Sequence, residues 1–161
     1  MPLKLYKLTP PPSRYWETWD DGSGVHTVHW GELGTEGESK TLKDSLFTKA
    51  KKRIQKEIDD LVAEGYRPVD LDDHRVLLVE YLVDGFGTSE DLEKRNRLGD
   101  RLNETLGWTG LGHVDGGSSG SGTMEVCCYV VDFELARRVI EDDLKETEFA
   151  DYSRIYDEGA V

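Results

Sequence analysis

Residues 45–64, SLFTKAKKRIQKEIDDLVAE, set Phe47, Ala50, Ile54, Ile58 and Leu61 at spacings of three and four, one apolar stripe along a helix of about five turns. A helix with a single stripe must bury it against another layer, and the preceding residues supply strands to do so. RYWETW alternates with Tyr15, Glu17 and Trp19 on one face and Trp16 and Thr18 on the other; DDGSG turns, and VHTVHW resumes, so residues 15–31 read as a hairpin. A third strand is expected around Ser39 to Lys43. Pro10, Pro11 and Pro12 fix φ and remove donors, which makes the region before Tyr15 an extended lead-in arm. After the helix, Gly65 fits a left-handed cap and Pro68 a stop signal.

PVDLDDH, Pro68 to His74, marks a shift in composition and a boundary between domains 1–69 and 70–161. Beyond it RVLLVEYLV (75–83) reads as a strand. TSED places Thr88 and Asp91 at capping-box spacing before a helix with Leu92, Leu98, Leu102 and Leu106 on its buried side and Gly107 at its close. WTGLGHV is expected to be a short strand, GGSSGSG a flexible connection and TMEVCCYVV (123–131) an apolar strand. Asp132 caps a helix with Leu135, Ala136, Val139, Ile140 and Leu144 in a stripe, and DYSRIY (151–156) ends the chain as a strand. The order is βαββαβ. The expected class is therefore α+β: a small antiparallel sheet plus helix, then a ferredoxin-like sandwich with two helices on one sheet face.

Charge divides at the same boundary. Residues 1–69 carry 11 Lys and Arg against 11 Asp and Glu, while residues 70–161 carry 9 against 22, so the whole net charge of −13 lies in the second half. Such a half repels nucleic acid and anionic membranes and favours a basic protein partner. No run approaches the roughly 20 apolar residues of a membrane helix, and the N-terminus lacks a signal-peptide core, so a cytoplasmic, non-membrane protein is expected. Cys127 and Cys128 are adjacent, on opposite faces of an apolar strand, and read as core-filling thiols.

The first half resembles the WGR domain, the sheet-plus-helix module of poly(ADP-ribose) polymerases and of many bacterial proteins related to molybdate regulators. The resemblance covers residues 14–69. It rests on YWETW, on HWGELGTEGESKTL at the position of the family's Trp-Gly-Arg-x-Gly-Thr-x-Gly run, and on Lys56, Glu57 and Glu64-Gly65-Tyr66. It implies contact with broken DNA, with Trp30, Gly31, position 32, Lys49, Lys52, Arg53 and Lys56 as the binding set. Glu32 stands where the family has its signature arginine, which weakens that implication. The roughly ninety remaining residues do not accommodate a polymerase domain, so ADP-ribosyl transfer is not inherited.

Other candidates weigh lightly. GLGHVDGGSSGSGTM lacks the Gly-Lys-Ser/Thr ending of a phosphate loop and leads into a strand. His113 and Asp115 at its rim have the chemistry for a small-molecule or acid–base site, but a mobile loop does not preorganise one. His26 and His29 are three apart in a strand and read as polar positions, and EDDLKETE lacks the ligand pattern of an EF-hand. No cofactor or metal is implied. The expectation is a non-enzymatic interaction protein, with an immunity-type inhibitor of a basic protein as its sharper form. Nucleic-acid binding through Lys49, Lys52, Arg53 and Lys56 is the first alternative, disfavoured by charge, and a small-molecule site at the Gly-rich loop the second. Oligomeric state is not written in the sequence.

Overall fold

A computed structural model describes residues 2–160, and the chain divides into two compact units between Val69 and Asp70. In the first, β1 (Leu3–Lys7), β2 (Arg14–Asp20), β3 (His26–Glu32) and β4 (Glu38–Leu42) form an antiparallel sheet in chain order, followed by α1 (Ala50–Ala63). The lead-in arm thus holds a strand, with Leu5 opposite Trp16 and Tyr6 opposite Tyr15. The prolines fall in the β1–β2 connection, where no ladder donor is needed. Outside β1, Tyr6 and Arg67 exchange two backbone hydrogen bonds of 2.8 Å, tying the segment after α1 to the sheet edge.

Register assigns the faces. Leu5, Trp16, Val28 and Leu42 meet Ala50, Ile54 and Tyr66 in one core, against which Ile58, Leu61 and Trp30 pack while partly exposed. Phe47 does not belong to it: the helix begins at Ala50, and Leu46 and Phe47 are 98% and 95% exposed. Local polar bonds decide this point. Ser45 Oγ accepts from the Thr48 amide at 3.0 Å and Asp44 Oδ1 from the Ala50 amide at 2.8 Å, which closes a turn before the helix and turns the Leu46–Phe47 pair outward. At the other end Gly65 adopts φ +103° while Tyr66 N–H donates to the Leu61 carbonyl, a left-handed stop.

The second unit comprises β5 (Arg75–Leu82), α2 (Ser89–Trp108), β6 (Gly112–Gly120), β7 (Thr123–Val130), α3 (Phe133–Leu144) and β8 (Arg154–Asp157). Its antiparallel sheet has the order β6-β7-β5-β8. Leu77, Val79 and Tyr81 of β5 and Met124, Val126, Cys128 and Val130 of β7 share the buried face, with Leu98, Leu102, Leu106, Ala136, Ile140 and Leu144 from the helices. Each fully buried aliphatic side chain contributes on the order of 1.5–3 kcal/mol. Thr88 and Asp91 form the expected capping box, and Asp132 Oδ1 accepts from the Leu135 amide at 2.9 Å. Arg101 and Thr105 of α2 both reach the Asp143 carboxylate, which joins the two helices side by side.

Three expectations change here. Leu92, in the first turn of α2, is exposed instead of buried. The helix runs past Gly107 to Trp108, and Gly110, at φ +70°, supplies the left-handed exit. The run expected to be a flexible connection instead supplies the last five residues of β6, which pairs along β7 on either side of a bulge between Val114 and Gly116; only Ser121 and Gly122 turn. Glycine lowers strand propensity, but a complete partner strand satisfies the backbone and outweighs it.

Candidate functional site

In the first unit the structure disperses the residues that the sequence grouped. Trp30 is half-buried, packs on the core and has Lys40 Nζ 5.3 Å from its ring centroid. Glu32 is exposed at the end of β3 opposite Arg14, whereas β4 leads into the start of α1 from Leu42, which lies opposite His26 at the far end of β3. Glu32 and the Lys49–Arg53 segment therefore flank opposite ends of the sheet. Lys49, Lys51, Lys52 and Arg53 are exposed and make no ion pair among the described residues, while Lys56 bonds Asp60 at 2.9 Å. The glycines of HWGELGTEG serve close approach. A Cβ on Gly37 would lie 2.1 Å from the Trp30 carbonyl oxygen at φ +63°, and one on Gly31 2.7 Å from Gly37 Cα.

That approach folds residues 33–37 back over the sheet face opposite α1. Beneath them lies a polar cluster that the sequence reading missed. His29 is 1% and Glu17 6% exposed; His29 Nδ1 bonds Glu17 Oε1 at 2.8 Å, and Nε2 lies 2.6 Å from the Glu36 carbonyl and 3.1 Å from Tyr15 Oη. Tyr15 donates to the Thr35 carbonyl at 2.9 Å, and Lys4 Nζ approaches Glu17 Oε2 at 3.2 Å. Burial, then the Glu17 charge, drives the Tyr15 phenol well above its ordinary pKa, so it stays a neutral donor. The cluster is an enclosed clasp for the Gly-rich turn. The alternation of RYWETW, which sets Tyr15 and Glu17 on one face, was the available signal; His29 joins them only through the register of β3.

In the second unit His113 and Asp115 lie on β6 rather than on a mobile loop. The His113 ring is 5.7 Å from that of Tyr129 and 6.4 Å from that of His74, while Asp115 occupies the bulge. The Asp115 carboxylate raises the Tyr129 pKa, and burial followed by Asp115 raises that of the Cys127 thiol. Cys128, on the helix-covered side, is pushed up to about 12 by burial. Both thiols are held protonated and weakly nucleophilic.

The sheet face that His113 and Tyr129 share, opposite the one packed on α2 and α3, carries an ionic cluster. Arg154 grips the buried Glu80 with Nε at 3.1 Å and Nη2 at 3.0 Å; Ser153 Oγ adds a bond of 2.8 Å, and Tyr156 donates to Glu125 at 2.6 Å. Arg154 holds the Glu80 carboxyl below its usual range, and the Tyr156 phenol is pushed up to about 12 by burial and by its bond to Glu125. Among the described residues no group of three or more His, Cys, Asp and Glu is arranged to hold a metal ion, and no helix is long and apolar enough to cross a membrane.

Cation use is one-sided. Arg75, Lys94, Arg97, Arg101, Arg137, Lys145 and Arg154 all sit in ion pairs within the second unit. Glu90, Glu93 and Glu104 on the outer side of α2 are exposed and make no ion pair among the described residues. Comparison with protein-family models, with curated proteins and with solved structures found no match.

Proposed function

We propose that the chain is a non-enzymatic interaction protein whose acidic second unit binds a basic protein surface, in the manner of an immunity-type inhibitor. The observation that carries this reading is the consumption of seven of nine cations in internal ion pairs, which leaves excess acid such as Glu90, Glu93 and Glu104 facing outward. Complementary fields of this kind speed encounter and select partners more than they deepen affinity. In this proposal the first unit is WGR-like, supported by its four-strand meander and single helix, and the second is ferredoxin-like, supported by the order β6-β7-β5-β8. The test is reconstitution with basic products of adjacent genes. A salt-sensitive complex lost on joint Glu90→Lys, Glu93→Lys and Glu104→Lys substitution supports the reading, and failure of all of them to bind removes it.

A second reading, contact with DNA ends or nicks, is favoured by the exposed cations Lys49, Lys51, Lys52 and Arg53, which make no ion pair among the described residues. Four phosphate contacts would give a salt slope of about −3 to −4. Lys49→Ala and Lys52→Ala should each flatten it by about one; no retention of nicked DNA at low salt ends this reading.

A further inference from the structure

The turn between β4 and α1 carries an apolar pair from which folding gains nothing. Leu46 and Phe47 are 98% and 95% exposed, more than any other large apolar side chain among the described residues. They are the central pair of a closed turn, in which the Ser45 amide donates to the Thr48 carbonyl at 2.9 Å and Ser45 Oγ accepts from the Thr48 amide at 3.0 Å. Turn corners favour Gly, Pro, Asn, Asp and Ser, so the local conformation does not call for Leu or Phe either. Single apolar residues are ordinary at a surface, whereas an adjacent pair held almost wholly in water is the start of a patch.

The charge beside that pair is also set against the fold. A helix N-terminus carries roughly half a positive charge, and α2 and α3 accordingly place Glu90, Asp91 and Glu134 in their first turns. The first turn of α1 has no acid; it has Lys49 at the N-cap and then Lys51, Lys52 and Arg53, all exposed. Ala50 and Ile54 face the core, and residues 51, 52 and 53, at intervals of about 100°, occupy the rest of the circumference. Helical side chains lean toward the N-terminus, so these three reach back toward the Leu46–Phe47 turn. With Lys43 and Lys49, residues 43–53 hold five cations against Asp44, whose carboxylate accepts from the Ala50 amide at 2.8 Å. None of the five makes an ion pair among the described residues, whereas the flanking Lys40 and Lys56 pair with Glu57 and Asp60.

An anionic bilayer satisfies both features at once. Its phosphate and carboxylate headgroups meet the cations, and the apolar pair enters the acyl boundary beneath them, as in interfacial anchors. Duplex DNA meets the cations alone, because covering the pair requires opening a base step. The acid of residues 70–161 opposes approach to such a surface, but its repulsion is screened beyond roughly 8 Å at physiological ionic strength.

We propose that residues 43–53 of the first unit form a peripheral membrane contact, in which Leu46 and Phe47 insert into an anionic phospholipid surface and Lys43, Lys49, Lys51, Lys52 and Arg53 bind its headgroups. The site is independent of the protein partner of the second unit and competes with the DNA reading for the same cations. The test is sedimentation of the full chain with vesicles of phosphatidylcholine and phosphatidylserine at roughly 2:1 in about 0.15 M salt, with pure phosphatidylcholine vesicles as the neutral control. The chain should sediment with the anionic vesicles and not with the neutral ones. Leu46→Ser with Phe47→Ser, and Lys51→Glu with Lys52→Glu, should each lower the partition coefficient by about tenfold or more. Neither pair should lower the Tm, because all four side chains are exposed. In Phe47→Trp, bromine-labelled acyl chains should quench the emission more strongly than they quench the four tryptophans of the parent chain; if a double variant does not fold, this quenching decides. The proposal is overturned if the chain ignores anionic vesicles, if neutral vesicles bind it as well, if either folded double variant loses less than about tenfold, or if Phe47→Trp gains no quenching. Loss of nicked-DNA retention in the Leu46→Ser, Phe47→Ser variant, with no vesicle binding by the parent chain, overturns it in favour of a DNA wedge.

Discussion

Both units pack one face of a four-stranded antiparallel sheet with helix, α1 in the first and α2 with α3 in the second, and they differ in what happens on the other. The first folds a Gly-rich turn over it and encloses His29 and Glu17; the second gathers Glu80, Arg154, Glu125 and Tyr156 there, with the Arg154 side chain half exposed. The two carboxylates are equally buried, Glu17 at 6% and Glu80 at 7%, but their partners differ: His29 is enclosed and nothing replaces it when it is lost, whereas the Arg154 side chain is half exposed, so water reaches its place. The first arrangement fixes the path of a loop, and the second leaves a charged face within reach of solvent.

That contrast is easiest to break at His29. His29→Ala strands the Glu17 carboxylate and the Glu36 carbonyl, and chemical denaturation should show a loss of about 3–5 kcal/mol. Three of the four tryptophans, Trp16, Trp19 and Trp30, lie in the first unit, so fluorescence reports it selectively. Arg154→Met in the second unit should cost less by far-UV circular dichroism, because water can reach the place of a half-exposed partner; equal losses would remove the distinction between an enclosed and a water-accessible partner.

Gly37→Ala is next, at about 2 kcal/mol or more destabilising, since the backbone is left-handed and the Trp30 carbonyl occupies the Cβ position. Gly99→Ala should act in the opposite direction, stabilising by about 0.5–1 kcal/mol, because helix propensity rises and nothing is displaced. A destabilised Gly99→Ala would show that the glycine has a packing role.

The smallest effect is the pH response of the Glu80–Arg154 pair. Arg154 lowers the Glu80 pKa, so this contribution to stability is fully present above the unfolded carboxyl value, about 4.3, and is lost as pH falls through the lower folded value. Denaturation midpoints of the second unit between pH 6 and pH 3 should fall less in Arg154→Met than in the parent chain; identical slopes would show that Arg154 does not set this response.

Much of the secondary structure was legible because it depends on local pattern. The Thr88–Asp91 capping box, the Asp132 cap, the Gly65 exit and the buried stripe of Leu98, Leu102 and Leu106 are all present. Errors arose where a distant partner outweighed a local preference. Tyr6 gained a ladder with β2 on one side and a single bridge to Arg67 on the other despite the prolines that follow it, and residues 116–120 became a strand because β7 pairs with them despite three glycines. Phe47 fits the helical period but is excluded by the Ser45 and Asp44 bonds. The candidate sites were less legible still, since the His29 clasp has no contiguous motif and the exposure of Phe47 removes it from the stripe in which its spacing placed it.

By itself the sequence determined the α+β class, the helices and their caps, and the segregation of charge, all set by spacing, capping chemistry and composition. Only the tertiary structure decided which charges are spent, as Arg97 is on Glu148 and Arg95 is not, and which glycines leave room. Ion pairing and empty volume belong to pairs of residues far apart in the chain, so no local reading of either partner contains them.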